Sequence, residues 1–76
     1  MKELLEIIAK ALVDYPDEVL VNEIDGDKTF ILELKVSKDD MGKVIGKQGK
    51  IARAIRTVVK AAAIKENKRV IIEIVQ

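Results

Sequence analysis

Between Thr29 and Val36 the chain alternates without a break: Phe30, Leu32, Leu34 and Val36 point one way, and Ile31, Glu33 and Lys35 point the other. A period of two is that of an extended strand. Charge confined to one of its faces means that the opposite face is buried. Such a strand needs neighbours to take up its backbone hydrogen bonds and a layer to cover its apolar side.

The neighbours are visible on both sides. Val19 to Ile24 is a second β-prone run, joined to the first by Asp25-Gly26-Asp27, whose Asp-Gly pair favours a tight antiparallel hairpin. Val70 to Val75 is rich in β-branched residues and follows a turn at Asn67-Lys68, which predicts a third strand.

The covering layer comes from three helical segments. Leu4, Leu5, Ile8, Ala11 and Leu12 recur at helical spacing, and Tyr15-Pro16 ends that segment. Ser37-Lys38-Asp39-Asp40 reads as a cap with an acidic residue three places after the serine, opening a short helix through Met41, Val44 and Ile45 that Gly46 stops. A longer helix starts at Gly49 or Lys50, with Ile51, Ile55, Val58 and Ala62 facing the sheet and Arg53, Arg56 and Lys60 roughly opposite. Ile45, Ile51 and Ile55 are read as core. The order αββααβ predicts an α+β two-layer sandwich, with helices on one face of a three-stranded sheet. Seventy-six residues enclose only one small core, so residues 1–76 are read as a single domain.

Composition removes most chemistry. Cysteine and histidine are both absent, and with them disulfides, thiolate nucleophiles, imidazole bases and the usual zinc ligand sets. Glu33 with Lys35 suits a solvated strand face, and Asp39 with Asp40 suits the positive end of a helix. No enzyme activity, cofactor, metal or small-molecule substrate is expected. The apolar stretch after Met1-Lys2-Glu3 is interrupted by Glu6 and Lys10, which fits neither a signal peptide nor a membrane span, so a cytoplasmic location is expected.

Net charge is only +1, but its distribution is uneven. From Met41 to Lys65 the charged residues are Lys43, Lys47, Lys50, Arg53, Arg56, Lys60 and Lys65, without one Asp or Glu, while acidic residues crowd the first forty positions. One surface is therefore expected to be positive and suited to a polyanion. Within that stretch lies Gly46-Lys47-Gln48-Gly49. Glycines without a Cβ let the backbone approach a sugar-phosphate chain closely and adopt φ values closed to other residues. The helix that follows turns its positive N-terminal end toward the same place. Gly42-Lys43-Val44-Ile45-Gly46-Lys47-Gln48 is no nucleotide-binding P-loop, because its spacer is one residue short and Gln48 stands where Ser or Thr would hold Mg²⁺.

The G-x-x-G between two helices, preceded by Val44-Ile45 and followed by Lys50-Ile51-Ala52-Arg53-Ala54-Ile55, closely resembles the KH signature. The full αββααβ order is similar to the bacterial type II KH fold over the whole chain, and in particular to the small single-domain KhpA family. The resemblance implies a protein that binds single-stranded RNA, whose loop clamps the backbone of about four nucleotides beside an apolar groove for the bases. Carried onto this sequence, it implies Gly46, Lys47, Gln48 and Gly49 as the clamp, with Lys43, Lys50 and Arg53 as electrostatic support. Arg56 and Lys60 are more distant candidates. It further implies an RNA chaperone or post-transcriptional regulator bearing on cell envelope, shape and division, working as a homodimer or as a heterodimer with a larger KH-containing protein. The alternative is a KH-fold module for dimerisation or scaffolding, with little affinity for RNA.

Overall fold

The computed structural model describes all 76 residues. Helix α1 (Lys2–Leu12) and a single 3-10 turn (Pro16–Glu18) lead into β1 (Leu20–Asp25) and β2 (Thr29–Lys35); α2 (Lys38–Lys65) and β3 (Arg69–Val75) follow. Four non-helical residues, 46–49, break α2 into a first arm over 38–45 and a second over 50–65. The predicted αββααβ order is thus present.

The sheet runs β1-β2-β3. β1 pairs antiparallel with β2, with Ile24 opposite Ile31, and β2 pairs parallel with β3, with Ile31 opposite Ile71. A parallel pair needs a long crossover, which α2 supplies. Both helices lie on one face: α1 over β1 and against α2, and α2 over β3. The alternation in β2 is realised as predicted, since Phe30, Leu32, Leu34 and Val36 are buried while Glu33 and Lys35 are exposed. Leu5, Leu32, Leu34, Val44, Ile55 and Val59 have no exposed surface and form the centre of the core.

The helical stripes are rotated from those expected. α1 buries Leu5 and Ala9, whereas Leu4 and Ile8 are half-buried and Ala11 and Leu12 exposed. In the second arm Ala52, Ile55, Val59 and Ala63 are buried; Ile51 and Ala62 are only half-buried, and Val58 is exposed. Alanines at 9, 52 and 63 explain the shift, because a small side chain lets a helix backbone lie close to the sheet while the longer neighbour moves outward. Ile45, read as core, is half-exposed because the first arm ends there and nothing packs over it.

The cap also departs from expectation in one respect. Ser37 caps α2 by accepting the Asp39 N–H at 3.2 Å, but Asp40 does not reach back to Ser37. Its carboxylate is completely buried and accepts the backbone N–H groups of Asp14 (3.0 Å) and Tyr15 (3.1 Å) just beyond the end of α1. This fastens the chain leaving α1 to the first turn of α2. At its other end α2 closes with Asn67 in the left-handed region (φ 59°), while the Asn67 and Lys68 N–H groups donate to Ile64 and Ala63. That pattern satisfies the terminal carbonyls and turns the chain into β3.

Candidate nucleic-acid interface

The break in α2 falls on the four residues singled out in the sequence. Gly46 (φ −68°, ψ −179°) ends the first arm in an extended conformation, and Lys47, Gln48 and Gly49 follow with φ of 52°, 64° and 69°. Three successive left-handed residues reverse the helix and start it again along a new axis. Only Gly49 adopts this conformation without a steric cost. Lys47 and Gln48 each carry strain of roughly 1–3 kcal/mol. Such strain persists where the surroundings hold it in place. Here the first arm is anchored through buried Asp40 and Val44, and the second through Ala52 and Ile55.

Gly46 differs from what was expected of it. Its φ and ψ are open to any residue, so it is not there for conformational freedom. A Cβ built on it would meet nothing within 4 Å, so internal packing does not require a glycine either. Nothing inside the protein explains the missing side chain. A ligand backbone pressed against that point would explain it.

Charge follows the same geometry. Lys47, Gln48, Lys50 and Arg53 are exposed around the loop, and Gly46 and Gly49 are half-buried beneath them. None of these cations is ion-paired; the four pairs present are Met1 N-terminus–Glu23, Lys10–Glu6, Lys43–Asp14 and Lys68–Asp25. Lys43 is therefore drawn away from the others, with its Nζ 3.0 Å from Asp14 Oδ1. The first turn of the second arm adds the positive end of its dipole at Gly49 and Lys50.

One turn beyond the loop, from Arg53 onward, runs a groove of about 550 Å³. Arg53, Arg56, Thr57 and Lys60 of α2 form one wall, and Val70, Ile71 and Ile72 of β3 form the other. Basic side chains along one side and apolar ones along the other suit a strand that carries phosphates on one edge and bases on the other. Sequence reasoning reached the helical wall through Arg53, Arg56 and Lys60 and missed the strand wall. Val70 to Ile72 bears no local mark of a groove, and its place in the wall depends on β3 being the edge strand beside α2. The signal that leads there is the long helical crossover after β2, which implies a parallel neighbour.

The two aromatic residues do not serve this region. Phe30 is buried with Lys68 Nζ 4.2 Å from its ring centre, and Tyr15 lies in the connection after α1. No His, Cys, Asp or Glu cluster of three or more can hold a metal ion. No helix is long and apolar enough to cross a membrane.

Comparison with known proteins gives the family. The family model "KhpA/KhpB, KH domain" matches residues 2–74. The chain is 73% identical over 75 residues to the RNA-binding protein KhpA of Clostridium perfringens, covering 99% of this chain and 100% of that one. It is 51% identical over 76 residues to the RNA-binding protein KhpA of Aquifex aeolicus, covering 100% and 96%. Among solved structures it is similar to Era in complex with MgGDPNP and nucleotides 1506–1542 of 16S ribosomal RNA. That match has a TM-score of 0.65 and 16% identity over 97% of this chain and 28% of Era, a likeness of fold. The relatives are named for binding and not for catalysis, and the family is non-enzymatic. The chain, matched by the family model over nearly its full length and by these relatives from end to end, belongs to the KhpA/KhpB KH-domain family.

Proposed function

We propose that this protein binds single-stranded RNA by clamping its sugar-phosphate backbone on Gly46-Lys47-Gln48-Gly49, with the bases directed into the groove between α2 and β3. The observation that carries the reading is Gly46, a glycine required neither by its backbone angles nor by its neighbours. Unpaired Lys47 and Lys50 attract phosphate, Arg53 and Arg56 extend that attraction along the groove, and half-exposed Ile45 offers a base an apolar contact. The RNA-binding names of the relatives support the same reading. With no aromatic platform, affinity rests on charge and is steeply salt-dependent. A small charged clamp of this kind suits an RNA chaperone or post-transcriptional regulator in the cytoplasm that holds short unpaired stretches.

Fluorescence anisotropy with labelled single-stranded RNA at two salt concentrations tests the reading. The wild-type chain is compared with Lys47→Asp/Gln48→Asp, whose fold is checked by circular dichroism. Salt-sensitive binding by the wild type and its loss in the folded variant are expected. Equal binding by the two chains rules out the loop as the clamp.

Assembly is a second reading, favoured by the open face of the sheet. Ile24, Ile31 and Ile71 lie side by side across the three strands, and Ile24 and Ile71 are 64% and 51% exposed. A second copy stacked on this face would bury that row. Sedimentation equilibrium is expected to show a dimer that Ile24→Glu converts to monomer; a wild-type monomer at every concentration excludes this homodimer.

A further inference from the structure

The groove beside the loop does not stop where a short RNA would leave it. It opens into a second hollow of about 430 Å³, with which it shares Lys60, Val70 and Ile71, and which adds Thr29, Ile64, Lys68 and Arg69. The two hollows together are lined by Arg53, Arg56, Lys60, Lys68 and Arg69 and by no acidic side chain. In a chain with 13 Asp and Glu against 14 Lys and Arg, a continuous wall of one sign is a marked asymmetry.

The individual side chains sharpen the contrast. Lys68 is fixed by Asp25 Oδ1 at 2.7 Å and by the Phe30 ring, so it shapes the wall more than it offers free charge. Lys60 and Arg69 are exposed and form no ion pair. Acidic residues border the track at its far end, where Asp25 holds Lys68 and where Asp27 and Glu66 stand beside Lys28 and Arg69. The positive track therefore has a defined end, which distinguishes it from a generally basic surface.

Its length sets the ligand. From Lys50 to Ile64 the second arm of α2 advances about 21 Å at 1.5 Å per residue, room for roughly six stacked nucleotides at about 3.4 Å each, those held at the loop included. A KH loop holds about four. We infer that the bound strand runs on past the loop site into a further phosphate-binding segment at Arg69, so that the chain covers about six consecutive nucleotides. Ile64 and Val70 supply the apolar surface there. This inference rests on the RNA reading above and specifies the extent of that site.

Tetranucleotide and octanucleotide single-stranded RNAs test it, with binding measured by anisotropy across a salt series. The variant is Arg69→Gln, an exposed position that lines the second hollow and not the groove holding the loop-bound bases, with its fold checked by circular dichroism. The octamer is expected to show a slope of log K against log salt steeper than the tetramer's by about 0.7, the value of one added phosphate contact. The extra registers open to a longer oligonucleotide raise its affinity but leave this slope unchanged. In the variant the octamer slope falls to the tetramer value, while tetramer affinity stays within about twofold. Equal wild-type slopes overturn the extended path and leave the loop clamp standing. So does a variant that weakens both lengths alike. Failure of the wild type to bind either length overturns the RNA reading itself, and the extension with it.

Discussion

Asp40 accepts the backbone N–H groups of Asp14 and Tyr15 at 3.0 and 3.1 Å with no exposed surface of its own, while Lys43 one turn later meets Asp14 at the surface. The two contacts join the same segments and differ in value. Asp40→Ala leaves two partly buried donors without an acceptor and is expected to destabilise by about 2–4 kcal/mol. Urea denaturation checks this. Lys43→Ala removes an exposed pair and is expected to change stability by less than about 1 kcal/mol. The loop glycines separate in the opposite sense. Gly49→Ala forces a Cβ into a left-handed residue and is expected to cost about 1–2 kcal/mol of stability. Gly46→Ala is expected to leave stability within about 0.5 kcal/mol, because extended backbone accepts alanine and the space is empty, yet to weaken RNA binding at least about tenfold. Thermal melts and anisotropy on the same two variants read both effects.

Among the elements, the strands were the most legible. The alternation of β2 predicted its buried face residue by residue, and Asp25-Gly26-Asp27 predicted the hairpin. The helices were legible in extent but not in rotation. Leu4 and Leu5, or Val58 and Val59, are adjacent apolar pairs from which periodicity selects neither member, and packing against the sheet decides between them. This difference is measurable: Ile55→Ala is expected to cost about 2–5 kcal/mol, and Val58→Ala within about 0.5 kcal/mol, by urea denaturation. Val58→Ala as costly as Ile55→Ala restores the stripe expected from periodicity. Of the candidate interface, the loop and its cations were readable because glycine and charge announce themselves locally. The groove was only half readable, because β3 becomes its second wall through the parallel pairing with β2, a contact between residues some forty positions apart.

For the whole molecule, the account assigns different work to the two sides of the sheet. Its covered face fastens α1 and α2, and through them the strained turn at Lys47 and Gln48. Its edge at β3 completes the groove, and its open face carries the Ile24–Ile31–Ile71 row. The most direct test follows backbone amide resonances while a short single-stranded RNA is titrated into the labelled protein. The account predicts that the perturbed amides are those of Ile45 to Lys50, Arg53 and Arg56, together with Val70 to Ile72 across the groove, while those of Asn22, Ile24 and Glu33 stay in place. Perturbations centred on Ile24, Ile31 and Glu33, with residues 46–49 unmoved, would contradict it.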